Sequence, residues 1–145
     1  MGTLQPNLVP LCELTALLEP AIAVTLLGQG GLQIGDAGEA RITGSRFSGV
    51  MIGTASDWLT IARDGSWGRM DVRGSFKADD GAIFAVRYGG RIRFDRQGAS
   101  ASLVVAPTFE TGHASHDWLN FVQAIGKGRL NLKTRELSYE FFEVV

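Results

Sequence analysis

The sequence has very little cysteine and very little proline. Its 145 residues contain one cysteine and four prolines. A single cysteine cannot form an internal disulfide, so the fold depends on its hydrophobic core. Cys12 lies between Leu11 and Glu13 in a run typical of a strand, and we interpret it as a small buried residue rather than a nucleophile.

The sequence also has no block of one charge. Fourteen Lys and Arg residues stand against fifteen Asp and Glu residues, which gives a net charge of -1. Without a basic block, nucleic acid and anionic membranes are not expected as partners. The charged fraction of 20% and the hydrophobic fraction of 45% are typical of a folded soluble protein. We expect one domain over 1–145, long enough for a real core.

Long hydrophobic runs are missing as well. Glu13 and Glu19 interrupt the apolar start, and Glu19-Pro20 divides it well short of the ~20 residues that a membrane-spanning helix needs. No Lys or Arg comes before Arg41, so the basic start of a signal peptide is absent. We therefore expect a cytoplasmic protein with no membrane partner.

Glycine is the most conspicuous residue that the sequence does contain. Nineteen glycines separate runs rich in Val, Ile, Phe and Thr, which predicts many short strands joined by tight turns. Asp64-Gly65 and Asp80-Gly81 are typical of hairpin turns. We expect a strand at Ala21–Leu27 and a glycine-rich loop at Gln29–Gly38.

One segment has the spacing of a helix. Its apolar residues recur at i, i+3, i+4 and i+7, and Ser115 is available as an N-cap. Gly126 and Gly128 cut the pattern short. We expect one helical turn near Ser115–Trp118, followed by a strand. The apolar residues concerned are Trp118, Phe121, Val122 and Ile125.

These patterns predict an all-β fold of about eight or nine antiparallel strands with little helix. So many strands in one domain need a way to remove their edges, and closure into a barrel does this fully. An eight-stranded barrel can also hold one small ligand. A single antiparallel barrel is therefore the expected architecture.

Five motifs follow one another along the last two thirds of the chain. They are Asp57-Trp58-Leu59, Met70–Arg73, Ala78–Ala82, Pro107–Gly112 and Trp118-Leu119-Asn120. In this order they resemble a known family, the domain of unknown function 3237 (also called uncharacterised protein family 0311). The resemblance is strongest over 42–145 and implies a single calycin-like β-barrel that is cytoplasmic and often self-associating, so a homo-oligomer is an open alternative. It implies no general activity.

The last two of these motifs have the composition of a pocket rim, with aromatic side chains beside a few polar ones. Asp57 and Glu110 are the carboxylates most suited to acid–base chemistry, because a carboxyl that faces an apolar lumen has a raised pKa. The alternative is that each caps a turn or pairs with one of the arginines at 73, 87 and 91.

Asp71 and Arg73 lie two residues apart on one predicted strand and therefore on one face. If that face is the lumen, they form a pair that can grip a polar ligand group. If it faces solvent, they are ordinary surface charges.

Ten side chains make up the candidate site. His116 could act as a proton shuttle beside Trp118. Asn120 could hold a ligand carbonyl, or it could make a structural bond to a neighbouring loop. The candidate catalytic residues are Asp57, Glu110 and His116, and the candidate substrate-binding residues are Trp58, Asp71, Arg73, Arg87, Phe109, Trp118 and Asn120.

His113 and His116, with Glu110 and Asp117 close by, could converge on zinc. The sequence contains no Cys-x-x-Cys or His-Glu-x-x-His motif to support such a site, and it contains no nucleotide-binding glycine motif. We therefore expect neither a metal nor a cofactor.

Our first hypothesis is a cofactor-independent barrel enzyme that moves a proton, as an isomerase, cyclase or lyase. Its substrate would be a small apolar molecule, aromatic or polyketide-like. Asp57 or Glu110 would be the general base or acid, Asn120 and Arg73 would orient substrate oxygens, and the aromatic residues would form the walls. The second hypothesis is a non-catalytic barrel that binds or carries such a ligand.

Overall fold

The computed structural model describes residues 3–25 and 29–145, which form ten β-strands and one 3₁₀ helix. The expected all-β fold is confirmed. In chain order the elements are β1 (Leu8–Leu18), β2 (Ile22–Ala23), β3 (Gly31–Thr43), β4 (Ser48–Ile61), β5 (Trp67–Ala78), β6 (Ile83–Phe94), β7 (Ser100–Val105), β8 (Thr108–Thr111), the 3₁₀ helix (Ala114–Phe121), β9 (Ala124–Asn131) and β10 (Glu136–Val144).

Eight of the strands close into an antiparallel barrel. The order of pairing is β1-β10-β9-β7-β6-β5-β4-β3, and β1 pairs again with β3 to complete the cylinder. The closing ladder runs from Glu13 opposite Thr43 to Leu18 opposite Ala37. Closure removes the two sheet edges that an open sheet would expose.

The two strands outside the closed ring continue earlier strands beyond a proline. Strand β2 follows β1 after Glu19-Pro20 and pairs with the first half of β3. Strand β8 follows β7 after Pro107 and pairs with the first half of β6. Because proline has no N–H for the ladder, it divides each strand in two. The described part of the chain therefore has ten strands, slightly more than the eight or nine expected.

The prediction of a loop at Gln29–Gly38 is wrong, because β3 begins at Gly31. Its glycine-rich half is paired on both sides, with Ile34 opposite both Ile22 and Trp58. These ladder bonds hold the strand where local propensity alone would not. The strand expected at Ala21–Leu27 is limited to Ile22–Ala23, and residues 26 and 27 lie outside the described part of the chain.

The turn predictions at Asp64-Gly65 and Asp80-Gly81 are confirmed. These turns join β4 to β5 and β5 to β6, and the two glycines have φ values of 74° and 89°. A residue with a Cβ rarely adopts such a conformation.

The two glycines that follow the helical pattern, Gly126 and Gly128, lie in β9 and have a packing role there. The 3₁₀ helix ends at Phe121, and β9 follows it. A Cβ at Gly126 would lie 2.6 Å from the ring of Phe141, and one at Gly128 would lie 2.4 Å from the ring of Tyr139. The two glycines therefore make room for aromatic side chains of β10, the strand paired with β9.

One end of the barrel is solid, and we call it the closed end. There the ring of Phe47 packs edge-on against Phe84, Phe109 and Trp118, with centroids 5.5–5.7 Å apart. Leu119, from the 3₁₀ helix, is fully buried in this cluster. At the opposite end β9 ends and β10 begins, and we call this the open end because the interior there is hollow.

Cys12 is buried in the core, as expected. Burial raises the pKa of its thiol to about 12, which keeps it protonated and unreactive. Within 3–25 and 29–145, no helix has the length and apolar character needed to cross a membrane.

Candidate functional site

The open half of the barrel encloses a cavity of about 280 Å³. Its wall is mainly aliphatic, and the polar residues Ser56, Asp57 and Tyr88 lie within strands that form this wall. Four more polar residues lie near the strand ends at the open end: Glu19, Gln33, Asn131 and Arg135. The aliphatic wall is formed by Leu14, Ala16, Ala40, Leu59, Met70, Val72, Ile92, Leu103, Leu130 and Leu137 among others.

A larger groove, of about 810 Å³, runs over the outer surface between β1, β3 and β10. Its walls include exposed polar and charged side chains: Thr15, Glu39, Arg41, Arg129 and Glu136. It cannot exclude water from a reacting group as the interior cavity can. The interior cavity is therefore the better candidate site.

Asp57 reaches the cavity because of its position on β4. Ala55, Asp57 and Leu59 alternate toward the interior, while Trp58 points to solvent. Strand β4 shifts its register against β5 between Ile52 and Ala55. The Asp71 N–H donates a hydrogen bond of 3.0 Å to the Asp57 carboxylate, which holds the carboxyl in place.

The cavity changes the acid–base behaviour of Asp57. The pKa of its carboxyl is raised from 3.8 to about 6. Burial is the main cause, the hydrogen bond from the Asp71 N–H opposes it, and the charge of Asp71 makes a smaller contribution in the same direction as burial. A carboxyl with a pKa of about 6 is mostly ionised at pH 7 yet basic enough to accept a proton from a substrate. Asp57 therefore has the properties of a general base.

Two tyrosines, one on β6 and one on β10, meet in the barrel interior. Tyr88 is in register with Val72, which is in register with Asp57, so the three residues form one row across β4, β5 and β6. The ring of Tyr139 lies 5.6 Å from the ring of Tyr88. Burial raises the pKa of both hydroxyls above the usual range, so both remain protonated donors.

The Tyr139 hydroxyl is buried beside the Tyr88 hydroxyl, which affects its pKa, but within the described part of the chain no partner meets full hydrogen-bond geometry with it. Buried polar groups are nearly always paired, and an unpaired one in a native fold calls for an explanation. Of the two tyrosines, Tyr88 lines the cavity, so its hydroxyl is the one that a molecule in the cavity can reach.

Five of the residues expected in the site lie on the exterior instead. Asp71 and Arg73 occupy the outward positions of β5, because the alternate residues of that strand face the core. They are surface charges and not a buried pair. Glu110, Arg87 and Trp58 are likewise exposed and do not line the cavity. The structure therefore separates them from Asp57.

Three further candidates belong to the closed end. Phe109 is buried and Trp118 is half-buried, both against Phe47. The Asn120 amide accepts a bond of 2.8 Å from the Thr111 N–H and donates one of 2.9 Å to the Thr111 carbonyl. These bonds attach the 3₁₀ helix to β8, so the structural alternative accounts for Asn120.

His116 also lies at the closed end. Its Nε2 is 2.9 Å from Asp80 Oδ2, and Ser115 Oγ donates to the same carboxylate at 3.2 Å. The hydrogen bond from the Ala82 N–H lowers the pKa of the Asp80 carboxyl, and the interaction with His116 lowers it by a smaller amount. The cluster joins the 3₁₀ helix to the β5–β6 turn and lies away from the cavity. Among the described residues, no three His, Cys, Asp or Glu side chains form a group able to hold a metal.

Sequence reasoning missed the two tyrosines. The signal that could have found them is the strand period of two. Tyr88 falls in the same every-second-residue series as Val86 and Ile92, and Tyr139 in the same series as Leu137 and Phe141. Each tyrosine therefore belongs to an apolar, inward-facing series. A polar group within such a series is the feature to look for.

Comparison with known proteins agrees with this architecture. A family model described as "protein of unknown function (DUF3237)" matches residues 6–144. No curated protein matches the chain.

Several solved structures share the fold. A conserved protein of unknown function from Rhodopseudomonas palustris is 18% identical, with a TM-score of 0.86 over 99% of this chain and 100% of that one. A β-barrel-like protein from Acinetobacter baumannii is 20% identical, with a TM-score of 0.84 over 99% of each chain. An enzyme from Penicillium herquei is 22% identical, with a TM-score of 0.72 over the whole of both chains. Identities this low establish a shared fold alone.

Proposed function

The chain belongs to the DUF3237 family of proteins of unknown function, and within that family we propose that it is a cofactor-independent enzyme that moves a proton on a small apolar substrate. One observation carries this proposal: the Asp57 carboxyl lines an enclosed, largely aliphatic cavity. A carboxylate at such a place lowers the stability of the fold, and a role in acid–base catalysis explains its presence there.

The cavity indicates the size and class of the substrate. Its 280 Å³ is about twice the ~150 Å³ of an engineered apolar cavity that binds benzene. A body of about two fused rings, or an acyl group of similar bulk, therefore suits it. The aliphatic wall would bind such a body by excluding water, and the polar groups would fix its orientation.

The proposed step is proton abstraction next to a carbonyl. The Asp57 carboxylate takes the proton of an acidic C–H bond, and the electron pair of that bond moves to the carbonyl oxygen as an enolate. The Tyr88 hydroxyl, which stays protonated, donates a hydrogen bond to that oxygen. Return of the proton to another carbon completes an isomerisation, and loss of a leaving group from the enolate completes an elimination.

A test is available without the natural substrate. 2-Tetralone is a neutral two-ring ketone whose α-hydrogens exchange with deuterium in D₂O, and NMR follows this exchange directly. We expect the protein to accelerate exchange, with a rate that rises through pH about 6 as Asp57 ionises. Asp57→Asn should lower the rate by roughly 10²-fold or more, which is a typical contribution of a general base.

The matched control is Glu110→Gln, which changes an exposed carboxylate outside the cavity. It should leave exchange within about twofold of wild type, since it alters no group in the cavity. Equal exchange in wild type and Asp57→Asn would contradict the assignment of Asp57.

The second candidate function is a non-catalytic carrier. The aliphatic wall favours it, because hydrophobic burial alone can hold a ligand. Saturable binding of 2-tetralone by calorimetry, with exchange no faster than in buffer, would support the carrier and overturn the enzyme. The enzyme described among the structurally similar proteins supports the catalytic alternative only through its fold.

A further inference from the structure

A basic groove of about 640 Å³ lies on the outer surface beside the open end of the barrel. It contains three arginines, Arg93, Arg96 and Arg129, together with the partly exposed indole of Trp67. Ser66, Ser100 and Ser102 add hydroxyl groups, and Asp95 is the acidic residue in its lining.

The arginines of this groove have no carboxylate partner within the described part of the chain. The ion pairs found there are Arg46 with Glu143 and His116 with Asp80, both at other places. The Asp95 carboxylate accepts a bond of 3.3 Å from the Gln97 N–H in its own turn. The positive charge of the groove is therefore available to a ligand.

The register places the groove side chains in one row. Trp67 is opposite Arg93 on β6, Arg93 is opposite Ser102 on β7, and Ser102 is opposite Arg129 on β9. Arg93 and Arg129 are thus separated by one intervening strand, or about 10 Å at the backbone. Two long guanidinium side chains at this spacing, with a hydroxyl between them, can converge on one carboxylate or phosphate.

The groove adjoins the interior cavity. Phe94 follows Arg93 on β6 and lines both the groove and the cavity. Its ring is half-buried at the rim of the open end. A ligand that passes Phe94 can have one part among the aliphatic side chains of the cavity and another part beside the arginines.

We propose that the ligand of the cavity is an amphiphilic anion, with a two-ring or acyl body inside the barrel and a carboxylate or phosphate held in the groove by Arg93 and Arg129. This inference rests on the proposed function, because it assumes that the cavity is the binding site. It narrows the substrate class from apolar molecules in general to those that carry an anionic tail.

The test uses pairs of probes that differ in one negative charge and one methyl group. ω-(2-Naphthyl)alkanoic acids with two to eight methylene groups are compared with their methyl esters by calorimetry at pH 8 and low salt. Above a threshold chain length the acid should bind roughly tenfold more tightly than its ester, as one charge-assisted contact predicts. Higher salt should reduce this difference.

Arg93→Gln combined with Arg129→Gln should remove the advantage of the acid and leave the affinity of the ester unchanged. The matched control is Arg87→Gln combined with Arg91→Gln, which removes two exposed arginines of β6 that do not line the groove. The control should retain the tenfold advantage.

The outcomes separate this inference from the proposed function. Equal affinity of acid and ester at every chain length would overturn the inference and leave the cavity as a binding site. If neither probe binds, the proposed function fails as well. Because the naphthyl group should occupy the cavity, 2-tetralone should displace the acid, and binding of the acid without such competition would also overturn the inference.

Discussion

At the scale of single residues, Asp57 lowers the stability of the fold and at the same time has a pKa suited to acid–base chemistry. Of the carboxylates that the sequence predicted for the site, it is the one that the structure places in the aliphatic cavity wall, with Leu59 and Val72. Its only hydrogen bond among the described residues comes from the Asp71 N–H. Burial of a charge with so little compensation destabilises the folded state, which is common at functional sites.

The pH dependence of stability follows from this shift. The carboxyl of Asp57 has a pKa of about 6 in the folded state and 3.8 as an unperturbed group. As the pH rises from 4 to 6, the unfolded state loses this proton first. The free energy of unfolding of the wild type therefore falls over that range and is constant with respect to this group above it.

Asp57→Asn removes this penalty while an amide oxygen can still accept the Asp71 N–H bond. Relative to wild type, the variant should gain stability between pH 4 and 6 and be more stable at pH 7 by about 2–3 kcal/mol. Urea unfolding from pH 4 to pH 8 measures the difference. A difference that does not change with pH would contradict the buried position of Asp57.

At the scale of secondary-structure elements, the pairing of β9 with β10 shows how glycine residues on one strand make room for aromatic rings on the next. Gly126 is opposite Phe141, and Gly128 is opposite Tyr139. Without a side chain of its own, each glycine lets the neighbouring ring lie across the strand. The same residues that follow the helical pattern therefore permit the packing of Tyr139 against Tyr88.

Gly128→Ala should displace the ring of Tyr139, because a Cβ there would lie 2.4 Å from it. Overpacking of this kind costs about 1–3 kcal/mol. The matched control is Gly112→Ala, since a Cβ at Gly112 meets no atom within 4 Å. The free energy of unfolding measures both, and equal effects of the two substitutions would contradict the close packing.

At the scale of the whole molecule, the barrel divides into a filled half and a hollow half. The closed end is sealed by the 3₁₀ helix and by an aromatic cluster around Phe47. The open end contains the cavity and adjoins the basic groove. This division concentrates the dense packing at one end and leaves a hollow at the other.

Substitution of two leucines of nearly equal burial tests whether one half of the barrel is filled and the other hollow. Leu119 is 0% exposed at the closed end, and Leu103 is 2% exposed but lines the cavity. Leu119→Ala should cost about 3–5 kcal/mol, and Leu103→Ala about 2–3 kcal/mol, because a side chain beside a hollow has fewer neighbours to lose.

Urea unfolding of the two variants gives this comparison. Leu103→Ala should also enlarge the cavity and admit bulkier naphthyl probes, which Leu119→Ala should not do. A larger loss of stability at Leu103 than at Leu119 would contradict a hollow open end.

The strands and their turns were largely predictable because they depend on local chemistry, and the barrel was expected because so many strands in one domain need to remove their edges. Alternation of apolar and polar residues, as in Met70–Arg73, and Asp-Gly turns are decided within a few residues. The ladder that pairs Gly31–Asp36 with β4, and Gln33 and Ile34 with β2 as well, was not predictable, because its partners lie elsewhere in the chain.

The site was predicted only in part, and the reason is the direction in which strand residues point. Neighbours on a strand face opposite sides, so Asp57 and Trp58 could not both line one cavity. Asp71 and Arg73 do share a face, as expected, but that face is the outer one. Which face of a strand becomes the interior depends on how distant strands pair.

The order of residues along the chain is therefore enough to specify an antiparallel barrel and its family. Long-range pairing was needed to place Asp57 beside Tyr88 and to send Glu110 to the exterior. It was also needed to bring Arg93 and Arg129 together across β7, although the chain has no basic block. Local propensity acts over a few residues, whereas a cavity and a charged groove form only when strands far apart in the chain meet.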